Sequence, residues 1–260
     1  MNATSDLVVS TSPRLHARLL TLNRASKRNA LSNALIAELA SQCRKAELED
    51  EVRCVIIYGS DGFFSAGADI KEMQQRGFEA IDNTARRNAW RDVATFSKPL
   101  VVAVEGLCFG GGHELALLAD IVIAGEGALF GQPEINIGIL PGDGATQRLT
   151  RVAGKSLAML MILTGEPIPA RTALQAGLVA EVTGSGQALA RALDIAELIA
   201  RKPPRSAELA KAAVLAAYQT TLDAGLEFER QAIRQAFTTS DQQEGMNAFF
   251  EKRLPNYRGK

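Results

Sequence analysis

The sequence predicts an α/β protein: a layered spiral of strands and helices, followed by an all-helical C-terminal region. Three observations carry that expectation. Short β-branched apolar runs at 54–58, 99–104 and 120–124 read as strands buried on both faces. Small-residue bends, FFSAGAD at 63–69 and GGG at 110–112, lie between a strand end and a helix. The order strand, strand, helix recurs, which fits a layered spiral better than a doubly wound sheet. Beyond Gly186 the chain turns alanine-rich and helical, with no strand signal after Val182.

In chain order, 7–10 and 15–22 read as a hairpin turning at Ser12-Pro13-Arg14. A polar loop at 23–29 carries Arg24, Lys27 and Arg28. Ser32 is placed to cap a helix in which Leu35, Ile36, Leu39, Cys43 and Leu48 keep a helical period. After the FFSAGAD bend, 73–96 is polar and helix-prone, with the lone Trp90 and one breaker, Gly77; it is expected to be helical and mobile. Helices follow at 142–151 and 155–163, the second apolar nearly all round, then a short helix at 170–176 ending at Gly177 and a last strand at 178–182. The remaining helices are expected at 187–201, 206–218, 222–237 and 242–253. Pro203-Pro204 marks a stop, and Ser240 with Gln243 forms a capping box for the last helix. These signals divide the chain into a spiral core, 1–202, and a helical oligomerisation region, 203–260.

Composition narrows the function classes. Lys+Arg and Asp+Glu balance at 29 each, so no general attraction to nucleic acid or an anionic membrane is expected. Cys43, Cys54 and Cys108 form no close pair, which fits a reducing compartment. The start, MNATSDLVVS, has neither a positive n-region nor a long apolar core, and no run approaches the length of a membrane span. The expectation is a cytoplasmic protein.

Several chemistries fall away on spacing. His113-Glu114 opens like HExxH, but position 117 is Leu, and no His/Cys/carboxylate cluster has metal-ligand spacing, so no metal is expected. Phe63 stands where a GxSxG elbow around Ser65 needs glycine. Neither glycine cluster gives GxGxxG or a P-loop lysine. What remains is a pair of bends and two acids. Gly110, Gly111 and Gly112 leave backbone N–H groups bare at a helix start, half of what an oxyanion hole requires, and the Ser65–Ala68 bend offers a second donor. Glu114 lies on the first helical turn and Glu134 in the stiffened loop after Gln132-Pro133. Each has a plain reading as well, as a dipole-stabilised first-turn acid and as a solvated loop acid. In an apolar pocket two neighbouring carboxylates resist ionising together, so one holds a proton while the other acts as base.

FFSAGADIKEM, GGGHELALLADIVIAGEGALFGQPEINIG, PGDGATQRL, GLVAEV and EGMNAFFEKR together resemble the enoyl-CoA hydratase/isomerase, or crotonase, superfamily over nearly the whole chain. The resemblance implies a crotonase-like spiral of ββα units with a C-terminal helical trimerisation region, assembled as trimers or dimers of trimers. It implies an acyl-CoA thioester substrate, no separate cofactor, and a carbonyl polarised by the N–H groups of Ala66 and Gly111. Glu114 would take a proton from water as its oxygen attacks Cβ, and Glu134 would deliver one to Cα. The segment Ala66, Gly67, Ala68 and Asp69 resembles the family's clasp on the adenine and pantetheine of CoA. Lys27 and Arg28 are placed to face its phosphates, and Gly142 of PGDGATQRL counts with the substrate-binding positions. Phe249, Phe250 and Lys252 match a helix that in relatives reaches a neighbouring subunit's site.

The chain departs from the family pattern at three positions. His113 replaces a small residue or cysteine and is expected to be packed. Asp143 and Ala145 replace small residues, and Asp143 is expected to cap the helix starting near Gly144. If instead Asp143 faced the acyl pocket, it would disfavour a tail bearing a carboxylate. Keeping both glutamates favours an enoyl-CoA hydratase. The pattern is similar to that of hydratases of phenylacetate catabolism that act on 2,3-dehydroadipyl-CoA, which makes this thioester a candidate substrate and fatty-acid or phenylacetate and other aromatic catabolism the candidate setting. The alternatives are a Δ3-Δ2 enoyl-CoA isomerase using Glu134 alone, and a non-catalytic acyl-CoA- or RNA-binding member.

Overall fold

The computed structural model describes residues 6–260. Part of the N-terminal stretch read for a targeting signal lies outside them. The strands are β1 (Val8–Arg14), β2 (Ala17–Leu22), β3 (Cys54–Gly59), β4 (Leu100–Val104), β5 (Leu107–Phe109), β6 (Ile121–Gly125), β7 (Leu129–Gly131), β8 (Ile168–Pro169) and β9 (Glu181–Thr183). The helices are α1 (Asn33–Leu48), α2 (Ile70–Arg76), α3 (Thr84–Ala94), α4 (Gly111–Ala116), α5 (Ala145–Thr164), α6 (Ala170–Gln175), α7 (Ala188–Ala200), α8 (Pro204–Ala216), α9 (Leu222–Phe237) and α10 (Ser240–Glu251). Among the described residues, no helix is long and apolar enough to cross a membrane.

Two sheets form the spiral. The larger has the order β1-β2-β3-β4-β6-β9, antiparallel between β1 and β2 and parallel thereafter. The smaller has the order β5-β7-β8. It is extended by a parallel bridge from Ser65 to Cys108. The chain climbs one strand in each sheet per coil, then passes into a helix, so rows of side chains stack from coil to coil. Leu20, Ile57, Val102 and Val122 make one such row, facing the core shared with α1, α3 and the small sheet. The alternate residues Leu19, Ile56 and Val101 face a second core against Ala188, Ala192 and Ala196 of α7. Burial on both faces is why these strands read as unbroken apolar runs.

The structure moves several expected boundaries. The hairpin reverses at Leu15-His16, with His16 at φ 59°, and β1 runs on through Pro13. An edge strand tolerates a proline, and the register shift between Thr11 and Arg14 absorbs it. Strands β5, β7 and β8 have no counterpart among the strands expected from sequence; at two or three residues each they are too short to show a period. Ser32 caps α1 as expected, accepting from the Leu35 N–H. The stretch 73–96 breaks at Gly77 into α2, a 3-10 turn and α3, and Trp90 and Val93 of α3 are buried. The two helices expected between 142 and 163 are present: α5 consists of two helical segments that meet at Gly154, whose φ of 77° and ψ of 162° are not helical. The last strand begins at Glu181, not Leu178. The cap of α10 is Thr239, whose oxygen accepts from Gln242 N–H, while the Ser240 hydroxyl donates to the Lys260 carbonyl.

The close approach of the two bends is the contact that positions everything below. A Cβ on Gly112 would stand 2.6 Å from Ser65 Cβ and 2.8 Å from its carbonyl oxygen. Gly112→Ala is therefore expected to destabilise the protein by about 1–3 kcal/mol through overpacking, read as a lower midpoint in urea unfolding. An unchanged midpoint would mean that the bends do not touch.

Candidate active site

The FFSAGAD bend is held on three sides. Ser65 N–H donates to the Leu107 carbonyl and Phe109 N–H to the Ser65 carbonyl, which joins the bend to β5. Ser65 Oγ donates to the Asn29 carbonyl and accepts from Gly67 N–H, so this hydroxyl ties the bend rather than serving as a nucleophile. Leu31 N–H donates to the Gly67 carbonyl and the Leu31 carbonyl accepts from Asp69 N–H, forming a bridge opposite Ala68.

That bridge corrects one expectation. Ala66 N–H is already used, donating to the Arg28 carbonyl at 2.9 Å. Gly67, at φ 105°, turns the chain there, and the N–H of Ala68 points away from Leu31. The nitrogen of Ala68 lies 3.6 Å from where a Cβ on Gly111 would stand. Gly111 is the first residue of α4, where a backbone N–H has no acceptor inside the helix. Among the described residues neither Ala68 N–H nor Gly111 N–H has an acceptor. The facing pair of free donors is Ala68 and Gly111, not Ala66 and Gly111.

Both glutamates arrive beside these donors. Glu114 is 2% exposed, and its Oε1 accepts from Asp143 N–H at 2.8 Å and Ala145 N–H at 2.9 Å. Its Oε2 has no protein partner among the described residues. Glu134 sits in a 3-10 turn, Pro133–Ile137. Its Oε1 would lie 2.8 Å from a Cβ on Gly110, so a glycine there makes room for the carboxylate. Burial, Asp143 and Glu134 lift the Glu114 carboxyl to about 7 against the pull of its two backbone donors. Burial and Asp143 lift Glu134 to about 7 as well, against its own backbone N–H. Both carboxyls are thus shifted towards the neutral form, and the charge of Glu134 adds to the rise at Glu114.

Further residues support the pair, and three of them are not singled out by the sequence: Gln132 and Arg148 lie inside the quoted motifs without an expected role, and Arg86 lies outside all of them. Gln132 is fully buried. With its amide oriented to satisfy both neighbours, it donates to the Glu134 carboxylate at 3.2 Å and accepts from His113 Nδ1 at 3.2 Å. His113 is packed as expected, edge-on to Phe130, and burial lowers its pKa to about 4, which keeps it neutral. Arg86, buried on α3, ion-pairs with Asp143. Arg148 Nη1 donates to the Asp143 carbonyl. Asp143 does not cap α5: the cap is Gly144, without a side-chain bond. The Asp143 carboxylate goes to Arg86 instead, and burial raises its pKa although Arg86 and Arg148 oppose the shift. No spacing rule links position 86 to 143, so only the fold reveals this partner.

The other expected positions have local roles or lie apart. Asp69 caps α2 through Lys71 and Glu72 N–H and pairs with Arg24 at 2.7 Å. Lys27 is exposed on a 3-10 turn, and the Arg28 guanidinium lies 6.0 Å from the centre of the Phe63 ring. Gly142 is exposed in the turn that leads to Glu114's donors. Phe249 and Lys252 lie at the end of α10, and no hydrogen bond or ion pair among the described residues joins Lys252 to the glutamates. A cleft of about 1270 Å³ between α5, α7 and α8 reaches the site along the Gly142–Gly144 turn and at Arg148, and neither glutamate lines it. Among the described residues no cluster of three or more His, Cys, Asp or Glu has the arrangement to hold a metal ion.

A carboxyl whose folded pKa is raised binds its proton more tightly in the folded chain. Its contribution to stability is complete below the unfolded value of 4.5 and is lost as pH rises towards 7. Glu114→Gln keeps the acceptor for Asp143 and Ala145 but removes this penalty. The variant is expected to gain on the wild type by about 1–3 kcal/mol between pH 5 and pH 8, read as a difference in Tm that grows with pH. A difference independent of pH would contradict the raised pKa.

Comparison with known proteins agrees with this geometry. A family model described as enoyl-CoA hydratase/isomerase matches residues 17–260. An Escherichia coli protein named 2,3-dehydroadipyl-CoA hydratase is 45% identical over 98% of this chain and 100% of its own length. A mitochondrial enoyl-CoA hydratase of Pongo abelii is 44% identical over 92% of this chain and 83% of its own. The crystal structure of an enoyl-CoA hydratase from Bacillus anthracis superposes with a TM-score of 0.93 at 36% identity, covering 98% of this chain and 100% of that one. The coil-by-coil register, the paired bends and these matches together establish that the chain belongs to the enoyl-CoA hydratase/isomerase family.

Proposed function

We propose that this protein hydrates trans-2-enoyl-CoA thioesters to 3-hydroxyacyl-CoA. The observation that carries the reading is the pairing of Glu114 and Glu134, both lifted to about 7, beside the free donors Ala68 and Gly111. The thioester oxygen accepts from those two N–H groups. Water lies between the glutamates. Two backbone donors favour the charged form of Glu114, which makes it the base, and Glu134 carries the shared proton. As the water oxygen bonds to Cβ, its proton passes to Glu114 and the C=C electron pair moves onto the carbonyl oxygen. The enolate is held by Ala68 and Gly111, an arrangement worth several kcal/mol in related oxyanion sites. Glu134 then protonates Cα. The proton taken by Glu114 then returns to Glu134, so that over one turnover water supplies both the hydrogen and the hydroxyl, and the reaction balances without a metal or redox cofactor.

For the finer substrate we extend to this chain the acyl group in the name of the E. coli relative, 2,3-dehydroadipyl-CoA, to be tested beside crotonyl-CoA. Asp143, which would disfavour such a tail if it faced the acyl pocket, has its charge offset by Arg86 and Arg148. A cytoplasmic location is part of the same proposal. Loss of the conjugated enoyl thioester absorbance is expected for the wild type, with kcat reduced about 100-fold or more in Glu114→Gln and in Glu134→Gln. A wild type inert to both enoyl thioesters that shifts the double bond of a 3-enoyl-CoA, unaffected by Glu114→Gln, would replace hydratase with isomerase. Binding without turnover of either would leave a non-catalytic acyl-CoA protein.

We also propose that copies associate through the C-terminal helices as a trimer or a dimer of trimers. Leu222, Leu226, Ile233 and Phe237 of α9 and Phe249 and Phe250 of α10 are exposed, the last two at 78% and 80%. Met159, Leu160 and Leu163 of α5 are exposed too. Apolar surface on this scale calls for a partner. Light scattering on the eluted protein is expected to give three or six times the chain mass of 27.8 kDa. A monomer mass at micromolar concentration would overturn the proposal.

A further inference from the structure

The structure gives Asp143 two tasks at once. Its N–H, with that of Ala145, grips Glu114 Oε1. Its carboxylate is fixed on Arg86, a guanidinium that α3 carries into the interior and that has few other partners. Arg86 Nη1 donates to Asn33 Oδ1 at 3.3 Å, the guanidinium lies 5.5 Å from the centre of the Trp90 ring, and its Nε has no hydrogen-bond partner. Arg148 of α5 holds the same turn through the Asp143 carbonyl. A third carboxylate is thus anchored beside the two glutamates.

We propose that Asp143, anchored on Arg86, is a positioning residue: it fixes the turn that grips Glu114 and supplies the negative charge against which Glu114 and Glu134 share a proton. The proposal rests on the hydratase reading. The groups facing Asp143 are Arg86 from α3, Arg148 from α5, Glu114 from α4 and Glu134 from its 3-10 turn. The two cations lower the affinity of the site for a proton, and the three carboxylates raise it for one another. Neutralising Asp143 leaves Arg86 and Arg148 unopposed, so both glutamates release protons at lower pH.

The test is the pH profile of kcat/KM from pH 5 to 9 for wild type, Asp143→Asn, Arg86→Lys and Arg86→Gln. Asp143→Asn keeps the backbone clamp and is expected to move both limbs down by about one pH unit. The profiles then cross: the variant loses about tenfold on the alkaline side and exceeds the wild type, relative to its own maximum, on the acid side. Arg86→Lys keeps the cation and is expected to retain the wild-type limbs, whereas Arg86→Gln moves them up. A residue that only held the turn would lower activity at every pH and leave the limbs in place, and that result overturns the proposal. So does an upward shift in Asp143→Asn, or limbs unchanged in Arg86→Gln, the variant that decides if Asp143→Asn does not fold. The side-chain carboxyl 13C resonances of the glutamates, titrated in free wild-type and variant protein, report the same shift without turnover. A wild type that fails to hydrate would defeat the hydratase reading, while those titrations would still decide the placement of charge.

Discussion

The site depends on one piece of sheet pairing: the parallel bridge that joins the Ser65 bend to β5. Ser65 exchanges backbone bonds with Leu107 and Phe109, and Cys108 pairs in turn with Phe130. That short ladder sets the distance between one coil's bend and the next coil's helix start. Gly112 lets the two backbones meet where any Cβ would strike Ser65. Two donors from segments more than forty residues apart in the chain then face one point. A spiral fold suits this purpose because each coil repeats the same exit from strand to helix, so two exits lie side by side without a dedicated loop.

The treatment of buried charge separates the scaffold from the site. Lys98 donates to the carbonyls of Ala46 and Glu49, closing the C-terminal end of α1. Glu105 accepts from Ala188 N–H at the start of α7, and Asp241 accepts from the N–H groups of Arg258 and Gly259. Each of these charges has partners of opposite polarity that are fixed in the fold. Glu114, Glu134 and Asp143 have fixed partners too, but burial and their closeness to one another outweigh these, and all three are shifted towards the neutral form. Such an arrangement lowers stability above neutrality and is retained where acid–base chemistry requires a proton held near pH 7.

Much of this is legible in the sequence, and what is not has identifiable causes. The buried strands, the Ser32 cap and the positions of Glu114 and Glu134 depend on local pattern, which the sequence carries directly. The strands β5, β7 and β8 owe their existence to neighbours in the next coil, so a window of two or three residues holds no trace of them. The partner of Asp143 is contributed by α3, 57 residues away, and aspartate before a helix satisfies the rule for a cap equally well. Here a buried guanidinium takes the carboxylate that the local rule assigns to the helix. Thr239 displaces Ser240 as the α10 cap for a smaller reason, since two adjacent hydroxyls fit the same rule and the Lys260 carbonyl engages one of them.

The shift from Ala66 to Ala68 shows how a single backbone angle decides function. In an extended strand, residues two apart direct their N–H groups to the same side, so either alanine would serve equally. Gly67 at φ 105° breaks that equivalence. Before it, the chain is still paired with the Arg28 loop and Ala66 N–H is consumed there. After it, the chain pairs with Leu31 through its other edge, and Ala68 N–H is released towards Gly111. A residue with a Cβ at position 67 would disfavour this turn and would also come within 3.0 Å of the Phe109 carbonyl oxygen. The small residues of the bend therefore do more than permit tightness: the glycine at its centre selects which N–H is left unpaired, and so which donor is offered to the proposed oxyanion site.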